Sequence, residues 1–134
     1  MTPRHVEREL ALHLESSGLG LSTTSTASSL YWGGLPTKSP DRAVLVRDTG
    51  GEQSLYLGTG RGLLAADAQV VVRGVPNRVE EARELAVACW RALHLARIPG
   101  FVGVKCEGAG PIAQPPDGSG RPRLSFNVIA SFVA

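Results

Sequence analysis

The closing stretch RLSFNVIASFVA alternates without a break, with Leu124, Phe126, Val128, Ala130 and Phe132 on one side and Ser125, Asn127, Ile129 and Ser131 on the other. A period of two marks a strand with one buried face. The same period recurs in AVLVRDTGG, where Val44 and Val46 oppose Leu45 and Arg47. It recurs again in ADAQVVVRG, where Val70 and Val72 oppose Gln69, Val71 and Arg73. Residues 48–51 predict a tight turn, and EQSLYLGTG beyond them a further short strand. SSLYWGG reads as a strand with one of Tyr31 and Trp32 in the core and the other facing out. FVGVKCEG adds one more strand.

Two stretches keep the helical period instead. In TPRHVERELALHLESSG, Val6, Leu10 and Leu14 fall four apart and share a face. Thr2 suits the N-cap, Pro3 the first helical position and Gly18 the stop. The second helix is expected from Asn77, as N-cap, to about Ala96. Val79, Ala82, Ala86, Cys89, Trp90 and Leu93 form its apolar stripe, with Glu80, Glu84 and Arg91 opposite. Long loops are expected at about 49–67 and 107–123, the second too rich in Pro and Gly for a regular element.

The order is helix, three or four strands, helix, two strands. It predicts an α+β fold: a mostly antiparallel sheet of about four to six strands with both helices packed on one face. One domain over residues 1–134 is expected. The other sheet face would carry Arg73, Asn127, Ile129 and Val133. That mixture is too polar for a core and too apolar for bare water, and it suits a surface that meets another subunit.

Composition sharpens this only a little. A chain of 134 residues, 43% hydrophobic and 19% charged, is that of an ordinary folded domain. The net charge of +2 comes from scattered arginines with only Lys38 and Lys105 beside them. No basic stripe favours nucleic-acid binding. No run is long enough for a membrane span, and no leader is expected ahead of His5, so a reducing cytoplasm is the expected compartment.

Candidate chemistry is sparse. The strand–Gly74–helix corner invites a phosphate-cradle reading, but it lacks the spaced glycines or lysine of such loops, Pro76 removes a donor, and Glu80 and Glu81 repel an anion. LGTGRG at 57–62 is expected to be a mobile loop. His5, His13 and His94 are dispersed, Cys89 lies on a buried stripe, and Cys106 beside Lys105 has no histidine partner. No catalytic residue, cofactor or metal is expected, and the chain is not expected to be an enzyme.

Three stretches carry a family likeness. LPTKSPDRAVLVRDTGG, AQVVVRGVPNRVEEARELAVACWRAL and PPDGSGRPRLSFNVIASF resemble, in order and spacing, the phage tail terminator (tail completion) group, which includes bacteriophage minor capsid proteins. The resemblance spans nearly the whole chain from Pro3. It implies a structural virion protein forming a ring, usually of six copies, at the head-proximal end of the tail tube. There it would end tube polymerisation and offer an interface to the head connector. A head-completion or neck adaptor is the alternative. The implied partners are further copies of itself, the major tail tube protein and the connector or stopper. DNA would pass through without sequence-specific binding, no membrane is involved, and assembly would occur in the host bacterial cytoplasm. Arg47, Asp48 and Arg73, with Asn127 and Ile129 on the second face, are the expected subunit-interface residues. Arg61, Asp117, Arg121 and Arg123 are the expected loop contacts to tube or connector.

Overall fold

Valines that alternate with polar residues place three long strands side by side at the centre of a six-stranded mixed sheet. The computed structural model describes residues 5–23, 29–36, 39–56 and 62–133, with the backbone alone for 51–56 and 62–63. The elements in order are α1 (Val6–Ser16), β1 (Leu30–Trp32), β2 (Ala43–Tyr56), β3 (Gly62–Arg73), α2 (Val79–Leu93), β4 (Gly103–Cys106), β5 (Ile112–Gln114) and β6 (Arg123–Val133). Across the sheet they run β1-β2-β3-β6-β4, and β5 follows β4 along the same edge of β6. Every pair is antiparallel except β1 with β2.

The valine faces decide where the helices go. Val44, Val46, Val70, Val72, Leu124, Phe126 and Val128 bury on one side of the sheet, and both helices cover that side. Leu10 and Leu14 of α1 and Ala86, Cys89 and Leu93 of α2 are fully buried there. A buried leucine of this kind contributes roughly 1.5–3 kcal/mol. His13 Nε2 donates to the Ala92 carbonyl at 3.1 Å and ties the helices together. The fold class is therefore the α+β arrangement the periodicity predicts.

Several local expectations change. α1 begins at Val6, with His5 at the capping position and no side-chain cap bond; Thr2 and Pro3 lie outside the described residues. Gly18 takes φ +77°, the left-handed stop expected of it. Asn77 does not cap α2: Arg78 holds that position, and Asn77 turns the chain before it at φ 65°. The helix stops at Leu93, short of Ala96. The Leu95 N–H leaves to donate to the Val104 carbonyl of β4 at 2.9 Å, at a left-handed φ of 58°. Leu85 joins the buried stripe while Val79 stays exposed. Neither aromatic of β1 is in the core. Leu30 pairs with Val44 on the buried side, which turns Tyr31 to the outer side with Leu45 and leaves Trp32 39% exposed at the edge.

The larger differences concern the two expected loops. Residues 48–51 form no turn, because β2 runs on to Tyr56 and pairs with β3 as far as Gly62. Most of the 49–67 segment is thus an arm of the sheet in which β3 pairs with β2 on one side and β6 on the other, and residues 57–61 lie outside the described residues. Gly50 takes φ +112° at a register shift, a bulge in place of the reversal. In the 107–123 segment, residues 112–114 pair with β6 as β5. Pro and Gly flank that short strand and do not exclude it.

Candidate functional site

The side of the sheet turned away from the helices follows from the same alternation. Its cross-strand rows are Arg73 beside Arg123, then Leu45, Val71 and Ser125, then Arg47, Gln69 and Asn127, then Asp67, Ile129 and Lys105. Because β1 and β2 are parallel, the chain must cross over between them. The described residues of that connection, 33–36 and 39–42, bring Leu35 to this face and Ser39, Pro40 and Asp41 to Arg73.

The result is an open groove of about 280 Å³. Leu45 and Val71 make its floor, Arg47, Arg73 and Arg123 supply charge, and Gln69, Gln114 and Ser125 supply neutral polar groups. Arg73 is 7% exposed, and its guanidinium donates to the Asp41 carbonyl at 3.0 Å, the Ser39 hydroxyl at 2.8 Å and the Pro40 carbonyl. It pins its own crossover. Burial, and then the Arg121 charge, lower the Arg73 pKa from its ordinary value, though an arginine remains charged. Arg47 donates from Nε to Gln69 Oε1 at 2.8 Å, a neutral acceptor. Arg123 donates from Nε and a terminal nitrogen to the Pro115 carbonyl, at 3.1 and 2.9 Å.

Asp117, the acidic residue among the described lining residues, is already committed. Asp117 Oδ1 accepts the backbone N–H groups of Ser119 and Arg121, each at 3.0 Å, and Oδ2 accepts Arg121 Nε at 2.8 Å. Desolvation pushes its carboxyl up, but these backbone bonds and the Arg121 guanidinium outweigh that and hold it below the usual aspartate value. Arg121 also reaches Asp41 Oδ1 at 3.3 Å. Arg73 and Arg123 stand opposite each other on neighbouring strands, and Asp117 and Asp41 supply the negative charge that acts on Arg73.

The groove joins two sets of residues expected to serve separate surfaces. Arg47 and Arg73 line it together with Asp117 and Arg123, and Arg121 braces it from behind. Asn127 is exposed in the row beside Gln69. Ile129 belongs instead to a second open cleft with Leu95, Val102 and Lys105. Asp48 sits at the bulge, where its N–H donates to Glu7 Oε2 and its Oδ1 accepts from Gly50. Arg61 lies outside the described residues. Sequence reasoning overlooks Gln69, Gln114 and Asp41. The alternation places Gln69 on this face, but nothing local signals that it would cap an arginine, and Gln114 has no place until β5 forms.

Elsewhere the thiols are inert. Desolvation raises both Cys89 and Cys106 to about 12, so neither is a thiolate near neutral pH. His94 Nδ1 accepts the Cys106 backbone N–H at 3.1 Å. The Gly74 N–H donates to the Pro122 carbonyl at 2.9 Å and is therefore not open to a phosphate. Among the described residues no three His, Cys, Asp or Glu side chains gather as metal ligands. No helix among them is long and apolar enough to cross a membrane.

Fold and face together define an α+β chain with helices on one side of a mixed sheet and an arginine-lined groove on the other. A chain of the virion of a native gene transfer agent particle has this fold: TM-score 0.64, 14% sequence identity, over 98% of this chain and 100% of that one. At that identity the likeness is one of fold. No protein-family profile and no curated protein matches the sequence.

Proposed function

We propose that this chain is a structural, non-enzymatic virion component that acts as a tail terminator. In this role copies of the chain, six in the expected ring, close on the head-proximal end of a tail tube. They cover the tube's last growth surface and offer the opposite surface to the head connector, while DNA passes through the opening. The observation that carries the proposal is the end-to-end likeness to a virion chain, with neither partner left with an unmatched domain. The half-apolar groove face fits it, because repeated heterologous contacts close into a ring when their rotation permits.

Within that ring the residues divide their work. Arg73 holds the crossover of its own subunit, so intersubunit pairing falls to Arg47 and Arg123. The β2–β3 arm and the segment at 107–123 are the surfaces offered to tube and connector. Purified chain should sediment as a closed oligomer, and virions assembled without it should carry tails of uncontrolled length. A chain that stays monomeric at high concentration, together with normal tails in its absence, would sink the proposal. Tails that still terminate while labelled chain sits at the head neck would favour a head-completion adaptor instead.

A further inference from the structure

The groove presents three arginines and one aspartate whose oxygens are already filled. Arg47 and Arg123 meet only neutral acceptors there, Gln69 and the Pro115 carbonyl, so the groove with its apolar floor suits an occupant that is acidic at its tip. Among the described residues most carboxylates are engaged. Asp41 meets Arg121, Glu81 meets Arg78 at 3.0 Å, Glu7 accepts from Asp48, and Glu15 accepts from Thr23. Asp67, Glu80, Glu84 and Glu107 have no such partner among the described residues, and of these Glu80 and Glu84 sit together on one helix. They are exposed, one turn apart on the same face of α2, and neither forms an ion pair among the described residues.

We infer that the arginine groove receives the first two turns of α2 from a second copy of this chain, with Glu80 and Glu84 of that copy meeting Arg47 and Arg123. This inference rests on the ring reading and names the two surfaces that would meet. The groove lies on the outer side of the sheet and α2 on the other side, so the surfaces differ. Their contact is heterologous and repeats from copy to copy, as a ring requires. The Gln69 oxygen that now holds Arg47 is a neutral acceptor, and a carboxylate binds guanidinium more strongly and in two-pronged fashion. Arginine forks set angle and register, which decide whether a repeated contact closes.

Charge reversal tests this in the full-length chain. R47E/R123E and E80R/E84R should each weaken association at least ~tenfold by sedimentation, with helix content and melting checked alongside. The quadruple variant restores opposite charges at every contact of a heterologous ring and should recover assembly. E80R/E84R alters only exposed helix positions, so the test survives if the groove variant misfolds. Wild-type assembly that is unchanged in E80R/E84R, or not regained in the quadruple variant, overturns the inference and leaves the ring reading standing. A wild-type chain that never associates defeats both. Retained assembly with loss of DNA binding in R47E/R123E would assign the groove to phosphates and likewise overturn the inference.

Discussion

Gly74 has an unremarkable backbone, and what it requires is the absence of a side chain. A Cβ there would lie 2.7 Å from Ala82 Cβ and 3.2 Å from Pro122 Cγ, inside the corner where β3 hands over to α2. Gly74→Ala should therefore cost about 1–3 kcal/mol in urea unfolding, the usual result of overfilling a packed site. A change below ~0.5 kcal/mol would mean that α2 can back away. Asp117 makes a prediction of opposite character. Its folded pKa is depressed, so its contribution is present above the unfolded value of 3.8 and is lost as pH falls through the lower folded value. The melting-temperature gap between wild type and Asp117→Asn should be full near neutrality and close in acid. At this scale the sequence is half legible. Alternation shows that Arg47 and Arg73 point outward. It does not show that Arg73 ends on acceptors 32 to 34 positions away.

Elements are legible where their period is long and their neighbours few. α1 illustrates this: Leu10 is fully buried and Leu12 is 37% exposed, as a 3.6-residue period requires. Leu10→Ala should cost about 2–5 kcal/mol by denaturant titration. Leu12→Ala should stay within ~0.5 kcal/mol. Equal costs would mean that the helix packs on a different face. The arm made by β2 and β3 shows the reverse. Asp48, Gly50 and Gly51 carry strong turn chemistry, yet β3 is paired on both sides from Leu64 to Arg73, to β2 and to β6. Those long-range ladders outweigh the local preference, and the glycine becomes a bulge. β5 escapes notice for the same reason, since three exposed residues between glycines and prolines become a strand only because β6 offers an edge.

On the scale of the molecule, one side of the sheet is closed by helices and the other is open, arginine-lined and partly apolar. If that open side is where copies meet, association should rise with protein concentration and fall as salt screens the exposed charges. Light scattering across a salt series checks both. Association that strengthens with salt would point to contacts made by apolar surface alone. The expected interface and loop residues were divisible by sequence position, and the fold erases that division by bringing Arg47, Arg73, Asp117 and Arg123 to one groove.

The order of residues settles which side of the three long strands and of both helices turns inward, because burial is decided by a period of two or 3.6 that neighbours along the chain already carry. It also gives the corner at Gly74 no phosphate-cradle motif, since the spaced glycines and the lysine are missing, while the close packing there is a matter of the fold. Only the folded chain decides which strands pair, that β1 runs parallel to β2, and that its crossover passes over the outer face into the grip of Arg73. Those outcomes depend on competition among distant edges for hydrogen bonds and apolar cover. No local stretch encodes that competition.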